Sequence, residues 1–241
     1  MIHPIRLYGD PVLRRSAAPV DRFDDDLARL ADDMIETMHD ANGVGLAGPQ
    51  IGVPKRIFVA AELAPPSPRD VRSHDAQAPH PDAAEVDLGR LGDASAPDDG
   101  SRDDGPLDDG SPDDEDDEGP EVLAVHVMVN PEIVERRGVQ VAPDGCLSVP
   151  GLWVEEMERD AEVRVRFHDL AGATHERDAA GHFAHVIQHE LDHLDGILYF
   201  DRLPGDDRRA FLEAHRTELA ELQRRAKAHL RELRSATTAR R

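Results

Sequence analysis

Residues 186–196, VIQHELDHLDG, set two imidazoles four positions apart, His189 and His193, with the carboxyl group of Glu190 beside the first. On a helix, positions i and i+4 lie about 40° apart, so both rings project from one face and can share a metal ion. Glu190 falls about 100° round the axis, where a carboxylate can take a proton from an attacking water but is badly placed to be a third ligand. This is the chemistry of metal-assisted hydrolysis, in which a Lewis acid activates water and a carboxylate carries its proton. A tetrahedral site with one open position needs three protein ligands, and this segment supplies two.

Three residues compete for the third place. One pattern extends HExxH by xxGxx and another histidine; Gly196 is in position, but Tyr199 stands where the histidine should be. Glu213, twenty residues beyond His193, sits at a separation that a carboxylate from a following helix would have. Cys146 is the only cysteine, and Pro143, Gly145, Pro150 and Gly151 bracket it in turn chemistry that can aim a side chain. A thiolate with two neutral imidazoles leaves a fourth position for water. On residue chemistry alone, Glu213 and Cys146 both stay open.

Several elements must position these groups. Residues 24–42 space Leu27, Leu30, Met34 and Met38 at three and four residues, which predicts an amphipathic helix ended by Asn42-Gly43. The glycine-rich GVGLAGPQIG (43–52) follows, then a strand in KRIFVAAE (55–62). Beyond the insert described below come VLAVHVMVNPEIVE, a turn region carrying PDGCLSVPG, and a half-exposed strand in EVRVRFHDL. The helix bearing the histidines is expected to be capped by Asp178 and closed at Gly196, with Phe183, Val186, Ile187 and Leu194 facing the core. A long C-terminal helix carries Leu212, Leu219, Leu222, Leu230 and Leu233 as one stripe.

The net charge of −22 is concentrated in one place. Between Glu62 and Glu121 there are 20 acidic residues against 4 arginines, in a stretch dominated by Asp, Gly, Pro and Ser. Such a segment cannot bury enough apolar surface to offset chain entropy and is read as a disordered insert. From Arg208 to the end the balance reverses, 10 basic to 4 acidic. A single cysteine excludes an internal disulfide, no signal peptide or membrane-length apolar run is visible, and a cytoplasmic location is expected.

Three segments taken in order, GVGLAGPQ, DGCLS and HELDH, resemble the signature segments of peptide deformylases, usually written GxGxAAxQ, EGCLS and HExDH. The opening IRLYGDPVLRRSAAPV is also similar to the start of that family. The resemblance implies an α+β fold, with small antiparallel sheets around a central helix carrying HExxH, plus a C-terminal helix. It divides the chain into one catalytic domain, 1–62 and 121–203, the acidic insert 63–120, and a basic helix and tail, 204–241. It also implies that Cys146, His189 and His193 hold one divalent metal ion, Fe(II) foremost, with zinc or nickel able to replace it. Glu190 becomes the general acid and base, and the Gln50 side chain with the Leu147 backbone N–H holds the oxyanion. Gly43, Val44, Gly45, Gly145, Val186 and Trp153 line the substrate site. The implied reaction removes the formyl group from the N-terminal formylmethionine of nascent polypeptides. Docking on the ribosome through the basic C-terminal helix is a further expectation, with no membrane and no specific DNA partner.

Four positions depart from the family's pattern. Gly48 replaces an alanine and Asp144 a glutamate, while His182 and His185 stand where mostly apolar residues are usual. Two other readings make different predictions. A HExxH metallopeptidase would depend on Glu213 rather than Cys146, and a silent binding protein would hold no metal and turn over no formyl peptide.

Overall fold

The computed structural model describes residues 1–65 and 121–239. Helix α1 (Asp25–Asp40) starts with the Asp24 carboxylate accepting a hydrogen bond from the Leu27 N–H at 3.2 Å, which satisfies one of the free amides of the first turn. Leu27, Ala31, Met34 and Met38 are buried along one stripe. Asn42, at φ +51°, then turns the chain out, a conformation asparagine tolerates better than most residues.

Strands β1 (Gly45–Ala47), β2 (Ile57–Leu63), β3 (Val122–Arg137), β6 (Glu162–His168) and β7 (Thr174–Ala180) form one antiparallel sheet in that order. Strands β4 (Gln140–Gly145) and β5 (Trp153–Arg159) make a separate pair. The continuous apolar run of β2 has a physical reason. Phe58 and Ala60 face one core, which holds Ile187, Leu191 and Leu194, and Ile57, Val59 and Ala61 face the other, which holds the α1 stripe. A strand buried on both faces cannot alternate in polarity.

Helix α2 (Gly181–Leu194) carries HELDH and is buried at every residue from Phe183 to Leu194. Its expected cap is corrected. Asp178 belongs to β7 and pairs with Arg164 of the neighbouring strand, and the residue preceding the helix, Ala180, has no side-chain cap bond. Gly196, at φ +76°, lies just past the helix end as expected. The turn region around Cys146 is also partly strand, because β4 runs to Gly145 and its register shifts between Ala142 and Asp144. Bulges of this kind bend a strand and re-aim side chains.

The single C-terminal helix is in fact two, α3 (Gly205–Ala214) and α4 (Arg216–Ala239), divided at His215. Phe211, Leu219 and Leu222 join Tyr199 and Phe200 in a third core, so α4 is packed through its apolar stripe. The acidic insert, apart from residues 63–65, lies outside the described residues, and Leu63 ends β2.

Candidate metal centre

Two elements meet at the site. The buried α2 brings His189 and His193, and the end of β4 brings Asp144, Gly145 and then Cys146. The Cys146 Sγ lies 3.1 Å from His193 Nε2, and the available ligand atoms of Cys146, His189 and His193 fall within 4.8 Å of one another. Among the described residues this is the group of three or more such side chains that can share a metal ion.

The donor set fits a divalent ion. His189 Nδ1 is 2.7 Å from Asp144 Oδ1, which fixes the ring and leaves Nε2 free to ligate. Asp144 is held in turn by Arg159, whose Nε and second amino group donate at 3.0 and 2.7 Å. Arg159 reaches on to Asp192 at 3.0 Å, and Arg202 closes the chain on Asp192 from outside at 3.1 Å. Asp144, Arg159 and Asp192 are all buried. Burial alone would raise the Asp144 pKa, but His189, His185 and Arg159 outweigh it and hold the carboxyl well below its usual range. Burial works against a charged His189, yet the Asp144 carboxylate holds that imidazole well above its ordinary value. His193 has no such partner, so burial and the neighbouring His189 push it well below.

Glu190 is buried, with Oε2 free of any hydrogen bond, and burial pushes its carboxyl up to about 7. Its room comes from β1, because a Cβ at Gly45 would overlap Glu190 Oε1. Gln50 sits in a short 3-10 turn, Gly48–Ile51, where its Oε1 accepts from the Ala47 N–H at 2.7 Å. That bond orients the amide so that Nε2 faces Cys146 Sγ at 3.6 Å and Ser148 Oγ at 3.4 Å.

A cavity of about 590 Å³ opens on these groups. Its wall includes Gly43, Val44, Gly45, Gln50, Gly145, Cys146, Leu147, Trp153, Val186, His189 and Glu190, so one space gathers nearly every residue expected at the site. His193 lies beneath it, 1% exposed. Trp153 is 59% exposed, and its ring lies across Gly145, where a Cβ would overlap it. Gly48 is not at the cavity: a Cβ there would come 2.7 Å from the Val53 carbonyl oxygen, so its smallness serves the turn.

The competing ligands are not brought in. Glu213 is exposed on α3 and outside the ligand group. Tyr199 is buried near His189, with ring centroids 6.3 Å apart, and donates its hydroxyl to the Leu152 carbonyl oxygen at 2.8 Å. Asp144, read from the sequence as a mild replacement, and Arg159, not singled out at all, prove to orient His189. Its place two residues before Cys146 was the one available signal for Asp144.

The sequence profile of the family described as Polypeptide deformylase matches residues 2–71 and 107–209. The chain is 42% identical over 233 residues to the peptide deformylase of Thermus thermophilus, covering 97% of this chain and 98% of the relative. It is 36% identical over 199 residues to that of Alkalilimnicola ehrlichii, covering 83% and 80%. The crystal structure of the Thermus thermophilus enzyme superposes with a TM-score of 0.68 at 40% identity, covering 93% of this chain and 99% of that one. The Met-Ala-Ser-bound class I type b peptide deformylase of Acinetobacter baumannii gives 0.59 at 29%, covering 84% and 99%.

Proposed function

The chain belongs to the polypeptide deformylase family, enzymes that remove the N-terminal formyl group from nascent polypeptides, and from that premise we propose how its own residues carry the reaction. The family uses a divalent metal. Cys146, His189 and His193 would hold it, and the observation that supports this set is the clustering of their three ligand atoms beside the free carboxylate of Glu190. The bound ion, Fe(II) in our reading, with zinc or nickel as substitutes, supplies Lewis acidity toward the formyl carbonyl and the attacking water.

The residues divide the remaining work. Glu190 takes a proton from the water as it attacks the formyl carbon and delivers it to the departing nitrogen, so the C–N bond breaks to give formate and a free amine. Gln50 Nε2 donates to the carbonyl oxygen as it gains negative charge, its amide held in place beforehand by the Ala47 N–H. The Leu147 backbone N–H is the second donor. Gly43, Val44, Gly45, Gly145, Val186 and Trp153 receive the peptide and its first side chain along the cavity. A Met-Ala-Ser peptide of the kind bound by the Acinetobacter baumannii relative suits a space of this size.

Residues 1–62 and 121–203 form the catalytic domain in this reading, with 204–241 as a basic helix and tail and 63–120 as the acidic insert. No described helix is long and apolar enough to cross a membrane, and we place the enzyme in the cytoplasm beside its substrate. Helix α4 exposes Arg224, Arg225, Lys227 and Arg231, a surface suited to ribosomal RNA phosphates. Co-sedimentation of the R225E/R231E protein with ribosomes at low salt, undiminished against wild type, would remove that docking.

The deciding experiment measures formate release from formyl-Met-Ala-Ser together with metal content. Cys146→Ala is expected to lose both, and Glu213→Ala to keep both. Metal retention and turnover by Cys146→Ala would overturn the ligand set.

A further inference from the structure

A buried hydroxyl stands behind the cavity wall. Ser148 is 0% exposed and takes no part in lining the cavity, whereas Gln50 and Cys146 both do. Hydrogen bonds of its own backbone tie the serine in place. Its N–H lies 3.3 Å from Cys146 Sγ, and its carbonyl oxygen accepts from the Tyr8 N–H at 2.8 Å. Two residues earlier on that segment, the Arg6 N–H donates to the Gln50 carbonyl oxygen at 2.7 Å. Residues 6–8 therefore hold Gln50 and Ser148 at a fixed spacing, although the two are 98 positions apart in the chain.

A side-chain amide nitrogen carries two hydrogens. The bond from the Ala47 N–H to Oε1 settles which end of the Gln50 amide is oxygen, and Nε2 is left facing Ser148 Oγ at 3.4 Å and Cys146 Sγ at 3.6 Å. These two contacts differ in kind. The hydroxyl lies behind the wall, out of a peptide's reach, while the sulfur belongs to the wall itself. Sulfur is a weak acceptor, and an oxygen gaining negative charge is a strong one. A formyl oxygen entering the cavity thus takes the hydrogen that faces the sulfur, and the hydroxyl keeps the other. With the hydroxyl removed, the amide is fixed by the Ala47 bond alone and is free to tilt about it. Donors speed a reaction most when they are oriented before the charge develops.

We propose that Ser148 is a positioning residue for deformylation: its hydroxyl holds one hydrogen of the Gln50 amide so that the second is aimed at the formyl oxygen. This rests on the deformylase reading and on Gln50 as a donor within it. Ser148 touches neither the peptide nor the proton that moves, so it acts through Gln50, and its effect falls on kcat.

The test is a double-mutant cycle in the metal-loaded enzyme on formyl-Met-Ala-Ser, with wild type, Ser148→Ala, Gln50→Ala and the double variant. Alanine keeps the backbone N–H toward Cys146 and deletes only the hydroxyl. S148A is expected to lose roughly three- to tenfold in kcat, the range of one neutral hydrogen bond, with KM and metal content unchanged. In the Q50A background the same substitution is expected to cost nothing further. A serine with a merely structural part would cost the same in both backgrounds. Equal losses in the two backgrounds, or wild-type kcat in S148A, overturn the proposal. Wild-type kcat in Q50A overturns it too, together with the donor that Ser148 is said to hold. Should S148A fail to fold, S148G carries the same expectation. A wild type that releases no formate from the peptide would instead strike at the deformylase reading beneath it.

Discussion

Asp144 shows how much a single carboxylate can organise. It fixes His189 and is itself fixed by Arg159, so Asp144→Asn withdraws the acceptor that orders a ligand and leaves a buried guanidinium short of a counter-charge. Metal affinity is expected to drop about 10- to 100-fold, with stability reduced by about 3–5 kcal/mol. Competition with a chromophoric chelator and thermal unfolding of the two proteins check these in turn. Glu190 makes a separate prediction in pH. It must be ionised to accept a proton, and burial raises its carboxyl to about 7. A nearby cation lowers that value. The acid limb of kcat/KM should therefore have its midpoint between the ordinary glutamate range and about 7, with activity lost as pH falls through it. In Glu190→Gln, kcat should drop about 10²- to 10⁴-fold with metal retained; unchanged turnover in that variant would exclude Glu190 as the base. The three side chains that cluster here were legible in the sequence because HELDH and DGCLS are local patterns. Arg159 was not, since its pairing with Asp144 and Asp192 exists only once β5 lies against α2.

Among the elements, β1 is three residues long and yet decides whether Glu190 fits. Gly45→Ala puts a methyl group where Glu190 Oε1 lies, and the carboxylate must move. Since displacements of about 1 Å can cost 10²-fold in rate, a loss of that order in kcat with unchanged metal content is expected. Metal analysis beside steady-state kinetics would test it, and full activity would show that the carboxylate tolerates the shift. Helix α1 and strand β2 could be read directly, one from a three- and four-residue apolar spacing, the other from an unbroken apolar run. Strand β7 could not. THERDAA has little β-branched or aromatic content, and the strand sits at the sheet edge with Arg164–Asp178 and Arg166–Glu176 ion pairs across it. Its stability comes from a neighbour that the local sequence does not contain. The break at His215 has neither glycine nor proline to announce it.

For the molecule as a whole, the excess acidity belongs to a segment whose two ends are already joined by the fold. Leu63 and Val122 are partners in the β2–β3 ladder, so a short turn can replace the residues between them. A protein with residues 66–119 exchanged for a few glycines and serines is expected to keep the wild-type kcat/KM on formyl-Met-Ala-Ser; a tenfold loss would assign the insert a catalytic part. The central-helix plan and its order of motifs were visible in the sequence, while the packing of α4 through Leu219 and Leu222 onto the body required tertiary contacts to see. The chain has one tryptophan, and its half-open ring lies across Gly145, next to Cys146. The intrinsic emission of the protein under selective excitation therefore arises from the rim of the cavity alone, which makes the native enzyme its own optical reporter of peptide binding without any added label.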